Sequence, residues 1–285
     1  MIYGLRYSNA IGTINFSIAS GFVVEEATAY GAQEVGFDTT RSNREIGETL
    51  QHQSVNPKTL TIRGTILGAS REARQQMNHI IAPLAPGRLT YEQNGESYYL
   101  DCYVKTSPDV EQYNENARFT FSLYAPFPYW RKTNRESTVL VGYQPRFMFP
   151  WNISDPNPFY FSETAQVGYV TVTNEGEVPA DWTVAFTALS TVKNPYAQNI
   201  DTGETVRVLK TMSAGESVTI STEGEELSVT LTAADGTETD GFQYLDIESV
   251  PFRLALGENH IKTNADEGGE GLRASISFRP AYAGV

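Results

Sequence analysis

Short runs in which apolar and polar side chains take turns recur along most of this chain, and they constrain its fold more than any other feature. Alternation with a period of two turns one side of an extended segment toward a core and the other toward water. Thr59-Leu60-Thr61-Ile62-Arg63-Gly64-Thr65-Ile66 is the clearest case, and Ile2–Tyr7, Thr13–Ile18, Arg88–Glu92, Ser97–Val104 and Ala117–Tyr124 follow the same rule. In the last run Phe119, Phe121 and Leu123 fall on one face. Asn94-Gly95 reads as a tight hairpin turn, because both positions tolerate positive φ. One stretch has a different period. Ser70 is a good N-cap, and Ala73, Met77, Ile80, Ile81 and Leu84 follow on a single helical stripe, so a helix is expected over 70–84. Arg71, Arg74, Gln75 and Asn78 fall on its other side, His79 lies off the stripe as a solvated residue, and Pro83 and Pro86-Gly87 end it.

Between Ala27 and Lys58 the alternation dissolves. Gly31, Gly36, Gly47 and polar residues dominate, with apolar touches at Val35, Phe37, Ile46 and Leu50. An excursion of this length inside a compact domain is unusual and often functional. It reads either as a hairpin arm that gains stability only against a neighbouring subunit, with those four residues as its contacts, or as a surface loop. Further on, Ala125-Pro126-Phe127-Pro128-Tyr129-Trp130 breaks the strand pattern, since two prolines forbid sheet continuation. The boundary falls near 133, giving domains 1–133 and 134–285.

The second half is strand and turn. Strands are expected at Gly168–Thr173, Asp181–Ala188, Thr205–Leu209, Ser217–Ser221, Leu227–Ala233, Phe252–Ala255 and Arg273–Phe278. Asn174-Glu175-Gly176, Asp201-Thr202-Gly203, Ala214-Gly215, Asp235-Gly236 and Gly268-Gly269 supply the turns, and the spacing suggests a β-sandwich. Residues 134–166 are Pro-rich and irregular. Trp151, Phe159 and Tyr160 lie there, and they are candidates for stacking on a glycan or packing on a protein; the alternative is that they cover the sandwich. Trp182 reads as core. The fold class is therefore mainly β, with one α-helix in the first domain and a sandwich in the second. Hydrophobic residues make up 40% of the chain and charged residues 19%, a globular balance, and 16 Tyr and 14 Phe add to the strand preference.

Charge is uneven. Residues 134–285 hold 9 Lys and Arg against 21 Asp and Glu, a net −12, whereas residues 1–133 hold 12 against 13, a net −1. An acidic second half repels phosphate, so no specific nucleic-acid binding is expected, and the near-neutral first half is the better candidate for packing on copies of itself. No apolar run approaches the ~18 residues of a membrane span. Met1–Arg6 lacks a basic start followed by an apolar run, so the chain is expected to be made in the cytoplasm.

Catalytic chemistry is not legible. The chain lacks a Gly-rich phosphate loop, His-Glu-x-x-His and Gly-x-Ser-x-Gly. Cys102 is the sole cysteine, which excludes an internal disulfide and reads as a small buried strand residue. Asp235–Asp240 and Asn264–Glu267 are oxygen-rich, but the former fails the spacing of a calcium loop. No catalytic residue, cofactor or metal is expected, although a scattered carboxylate pair of a glycoside hydrolase leaves no trace in sequence.

The strand Leu60–Ile66, the helix, Pro86-Gly87-Arg88-Leu89-Thr90, Asn94-Gly95 and the closing Ala125–Trp130 resemble, in this order, the first domain of siphophage distal tail proteins. Val172-Thr173-Asn174-Glu175-Gly176, Asn194-Pro195, Asn199–Gly203, Leu256–Ile261 and the final Ser277–Val285 resemble their carboxy-terminal domain. The resemblance implies a ring-forming first domain, six-fold, and a galectin-like second domain. It implies a structural part of a long non-contractile tail, joining the tail tube to the tip or baseplate. The expected partners are the chain itself, the tail tube protein, the tape-measure protein and tail-tip or tail-fibre proteins. The expected place is the virion tail tip, after assembly in the bacterial host cytoplasm. A carbohydrate-binding protein acting through the sandwich is the other reading.

Overall fold

The computed structural model describes the chain except residues 1–3, 29–30, 32, 42–45, 69, 114, 141, 146–161, 166–167 and 225. Two compact units account for it: Met1–Asn134 with Ala281–Val285, and Arg135–Pro280. The final five residues thus group with the first unit, and the second is spliced into it.

The first unit opens with β1 (Leu5–Asn9), β2 (Thr13–Phe16) and β3 (Phe22–Ala27), followed by a separate ribbon of β4 (Val35–Thr40) and β5 (Thr49–Val55). Then come β6 (Lys58–Ile66), α1 (Arg71–Ile80), β7 (Pro86–Gln93), β8 (Glu96–Tyr113), β9 (Asn116–Ala125) and β10 (Trp130–Lys132). The main sheet runs β2-β1-β7-β8-β9-β6-β3. β8 turns its corner. Its first half, Glu96 to Tyr103, pairs with β7, and from Tyr103 onward it pairs with β9, with register shifts on either side of Thr106. Irregularities of this kind sharpen twist and let one strand serve two layers. The sheet curls until its end strands meet at the bridge Ser17–Phe22. The core inside holds Phe16, Leu60, Ile62, Leu89, Phe119, Phe121, Leu123 and Trp130. Gly64 is required where β6 crosses this core, because a Cβ there would stand 2.1 Å from the Val23 carbonyl oxygen and 2.5 Å from the Phe119 ring.

The turn at Asn94-Gly95 has the expected positive φ values, 53° and 83°. The helix starts as expected, with Ser70 Oγ accepting from Ala73 N–H. It stops earlier than the periodicity suggests. Ile81 caps it through an N–H to the Met77 carbonyl, and Ala82 precedes Pro83, which disfavours helical backbone. Leu84, expected on the buried stripe, has φ +68° and is 95% exposed; Met77, Ile80 and Ile81 are the helix-side residues that enter the core.

The second unit is a sandwich. Its strands are β11 (Glu136–Val139), β12 (Gly142–Pro145), β13 (Ser162–Ala165), β14 (Val170–Asn174), β15 (Trp182–Ala188), β16 (Val192–Asn199), β17 (Thr205–Arg207), β18 (Thr211–Met212), β19 (Ser217–Ser221), β20 (Ser228–Thr232), β21 (Glu238–Asp240), β22 (Gly257–Glu267) and β23 (Leu272–Phe278). One sheet is β11-β23-β15-β19-β20-β21 and the other β14-β22-β16-β17, with β18 on β16 and β12-β13 paired apart. Trp182, Phe186, Ile220, Phe252, Ile276 and Phe278 fill the space within. Trp182 is fully buried and its indole N–H donates to the Phe252 carbonyl at 2.7 Å. Two strands that period-two reading passes over, β16 and β22, pair along most of their length. The expected strand Phe252–Ala255 is instead a single bridge, Ala180 to Leu254. Asn174 and Asn259, both buried, staple the neighbouring turns: Asn174 donates to Val178 and Leu254 carbonyls, and Asn259 accepts from Ala255 N–H and donates to the Val172 carbonyl. The motif pieces around them are therefore architectural.

The chain's last strand, β24 (Ala281–Tyr282), returns to β10 in the first unit. Lys58, 4% exposed, donates from Nζ to the Ala283 carbonyl at 3.0 Å, and Gln33 Nε2 donates to the same oxygen at 3.1 Å. Val285 packs against the core.

Candidate assembly surface

The segment that reads as either an arm or a loop contains the β4–β5 ribbon. Val35 faces Val55 and Phe37 faces Gln53 across it. A register shift between Asp38 and Thr39 sets Leu50 opposite Thr39. Directly opposed residues project to the same side of an antiparallel pair, so Val35, Phe37, Leu50 and Val55 share one face. At the ribbon's base Asn56 N–H donates to the Glu34 carbonyl, and Gln33 Nε2 donates to the Pro128 carbonyl. Beyond that base the ribbon has no third strand among the described residues. Phe37 is 61% exposed and Ile46, near the tip, 108%. An isolated two-stranded ribbon is marginal in water. An apolar face on such a ribbon is a surface awaiting cover.

Two family models match the chain, one in each half. Residues 11–125 match the phage tail protein RIFT-related domain, and residues 175–282 match the siphovirus-type tail component, C-terminal domain. The chain belongs to the siphovirus distal tail family. No curated protein sequence matches this distal tail protein. Its fold is similar to that of the SPP1 Dit protein, described as a paradigm of the hub adsorption apparatus in phages infecting Gram-positive hosts. The TM-score is 0.71 at 11% identity, over 97% of this chain and 98% of that one. It is also similar to a chain of the phage P2 baseplate in its activated conformation with Ca, at TM-score 0.58 and 13% identity over 100% of both chains. A second P2 baseplate structure, with Sr, gives 0.53 and 13% over 99% of each. The distal tail protein is thus a structural component of a siphophage tail and baseplate.

Of the contact residues proposed from sequence, Val35, Phe37 and Leu50 come together on the ribbon and Ile46 stands beyond them. Sequence reasoning missed Val55, whose signal was the isolated apolar residue ending a polar stretch. Trp151, Phe159 and Tyr160 lie outside the described residues, and buried Trp182 offers no ring for a sugar.

Reactive groups in the distal tail protein are quiet. Burial pushes the Cys102 thiol up to about 12, so the thiolate a nucleophile needs is scarce. His52 and His79 are exposed, while His260 Nδ1 pairs with Asp201 Oδ1 at 2.8 Å. That Asp201 also accepts the His260 backbone N–H, and these bonds hold its carboxyl below its ordinary value. Among the described residues no three His, Cys, Asp or Glu side chains gather to hold a metal, and no helix is long and apolar enough to cross a membrane.

Proposed function

We propose that the distal tail protein closes into a ring, a hexamer as the family resemblance implies, that joins the tail tube to the tail tip or baseplate without catalytic chemistry. The ribbon carries this reading. Among the described residues nothing pairs with it as a third strand and its apolar face is exposed, and a head-to-tail contact gives every copy one ribbon to offer and one surface to receive it. Contacts of this heterologous kind generate a ring when the rotation closes. Fully burying a side chain such as Phe37 or Leu50 contributes about 1.5–3 kcal/mol relative to leaving it in water. Several such side chains repeated around a ring outweigh the marginal stability of a bare ribbon.

Charge supports the same arrangement. The first unit is close to neutral, so copies approach through it without strong repulsion, while the second unit, at −12, resists close self-contact. An assembly with little excess of cations lets DNA pass its lumen without holding phosphate. The tail tube and tape-measure proteins would meet one side of the ring and tail-tip or tail-fibre proteins the other, at the virion tail tip, after assembly in the host cytoplasm. Native mass spectrometry of the purified protein, with end-on electron micrographs, tests the reading. A closed oligomer with a central hole is expected; a strict monomer at high concentration, with or without tail partners, overturns it.

A further inference from the structure

Strand register builds a row of exposed apolar side chains across the outside of the first unit. Pro86 on β7 faces Tyr103 on β8, Tyr103 faces Tyr124 on β9, and Tyr124 faces Thr59 on β6. Directly opposed residues project to one side of a sheet. Their strand neighbours Cys102, Val104, Leu123 and Leu60 enter the core, so the row lies on the solvent side. Tyr103 is 46% exposed and Tyr124 37%. An open groove of about 560 Å³ adjoins the row's first two members, and Arg88 and Asp101 line it with them. Leu84, two residues ahead of Pro86, joins near-complete exposure to a φ of +68°, a backbone that leucine rarely adopts. Lys105 leaves the outer face of β8 next after Tyr103. Its Nζ donates to Thr59 Oγ1 at 3.3 Å, reaching past β9, and it has no carboxylate partner among the described residues. Arg88 and Arg131 share one carboxylate, that of Asp101. Three cations against one carboxylate leave the row with a local excess of positive charge.

We propose that this row is the seat for the β4–β5 ribbon of a second copy, with Phe37 entering the groove beside Tyr103. The proposal rests on the ring reading and names the surface that receives the ribbon. Charge matches the two faces. Residues 33–57 hold Glu34, Asp38, Glu45 and Glu48 against Arg41 and Arg44, a net −2, so the ribbon meets the cationic rim with the opposite sign. Complementary rims of this kind steer encounter and fix register. Apolarity matches them too, since Val35, Phe37, Leu50 and Val55 would cover Pro86, Tyr103 and Tyr124. Tyrosine set among arginines is the composition in which binding energy concentrates. Placement gives the direction. β5 ends at Val55 and β6 begins at Lys58, next to Thr59 at the far end of the row. Each copy thus carries its offered face and its receiving face in series, as a head-to-tail contact requires.

The test mixes two full-chain variants, Phe37→Cys and Tyr103→Cys, and oxidises them in air, while sedimentation velocity follows the wild type at the same concentration. Cys102 is buried and stays out of the exchange. A disulfide is expected between the two variants, formed about tenfold faster than in either variant alone. Ile18→Cys in place of Tyr103→Cys is the control, because Ile18 is an exposed apolar residue of the same unit that lies off the row. Equal or faster linkage of Phe37→Cys to Ile18→Cys overturns the seat, and so does Tyr103→Cys linking to itself as fast as to its intended partner. A wild-type oligomer without the intended disulfide overturns the seat and leaves the ring. A wild-type monomer with that disulfide overturns the ring and leaves the seat as a pairwise contact, and a monomer without it overturns both. The double variant Tyr103→Thr with Tyr124→Thr gives a second readout. Its unfolding midpoint should hardly move, while its self-association should weaken about tenfold or more. Unchanged self-association overturns the seat.

Discussion

The β4–β5 ribbon and the β6–β9 pair are built from the same material and end in opposite circumstances. Both are antiparallel ladders with an apolar face. On β6 and β9 that face, with Leu60, Ile62, Phe119, Phe121 and Leu123, is sealed inside the first unit. On the ribbon the face of Val35, Phe37, Leu50 and Val55 meets solvent. A ladder of hydrogen bonds exchanges bonds to water for bonds to backbone and gains only about 0.5–1.5 kcal/mol for each. What separates the two pairs is burial, so the ribbon's persistence should depend on company and that of β6–β9 should not.

Amide hydrogen exchange on the isolated chain gives the largest contrast. Amides between β6 and β9 should exchange only through global opening, at the ~5–15 kcal/mol typical of a folded domain, while ribbon amides exchange through local opening close to zero. If the proposed ring forms, the ribbon should slow in it by orders of magnitude and β6–β9 should barely change. Equal protection of both in the monomer would break the comparison.

The next contrast is mutational. Phe121→Ala empties a fully buried ring site that also stacks on Phe16. It should cost about 3–5 kcal/mol by denaturant unfolding, whether or not the protein assembles. A loss below about 1 kcal/mol would mean that the curled sheet collapses onto the void more readily than a close-packed core allows.

This division also explains what the sequence made legible. Buried faces write themselves into alternation, which is why β6, β9, β15, β19 and β23 can be read from residue order. Local chemistry is equally readable: Ser70 starts the helix and Asn94-Gly95 turns the hairpin. The helix end was misread because Leu84 continues the apolar stripe although proline steric effects have already stopped the helix. The second half of β8 is mostly exposed and carries no periodic mark, and β16 contains Asn194-Pro195, where φ is +52° at Asn194. The ribbon residues could be picked out as apolar touches in a polar stretch, but their common face depends on a register shift that no local pattern encodes.

Lys58 sits where ribbon gives way to body, and its proton reports which side it belongs to. Burial pushes it from an ordinary 10.5 down to about 8. Above pH 8 the folded protein has released this proton while the unfolded chain still holds it, so the unfolded state binds more protons and stability rises with pH until about 10.5. Below pH 8 both states are charged, and the cost of the buried ammonium is present in full. The stability of the wild type relative to Lys58→Met should therefore improve as pH is taken from 7 to 9.5, read from paired urea titrations. A difference independent of pH would show that Lys58 is solvated, as a ribbon residue would be.

The smallest expected effect is the sharpest. Phe37→Ser removes the most exposed aromatic of the ribbon face, a group that already contacts water. Surface substitutions of this kind shift stability by about 0.5 kcal/mol or less, so the monomer's unfolding midpoint should hardly move. Self-association should nevertheless weaken, because in a closed ring the same loss recurs at every interface and the closure equilibrium multiplies it. Asp38→Asn serves as the control, since Asp38 is exposed and sits opposite His52 on the ribbon's other face. Unfolding and sedimentation measured on the same preparations decide the matter. If Phe37→Ser lowers monomer stability as a core substitution does, the ribbon packs on its own chain and is a part of the body. If it leaves both stability and assembly unchanged, the ribbon is a surface loop and the ring, where it forms, closes through other contacts.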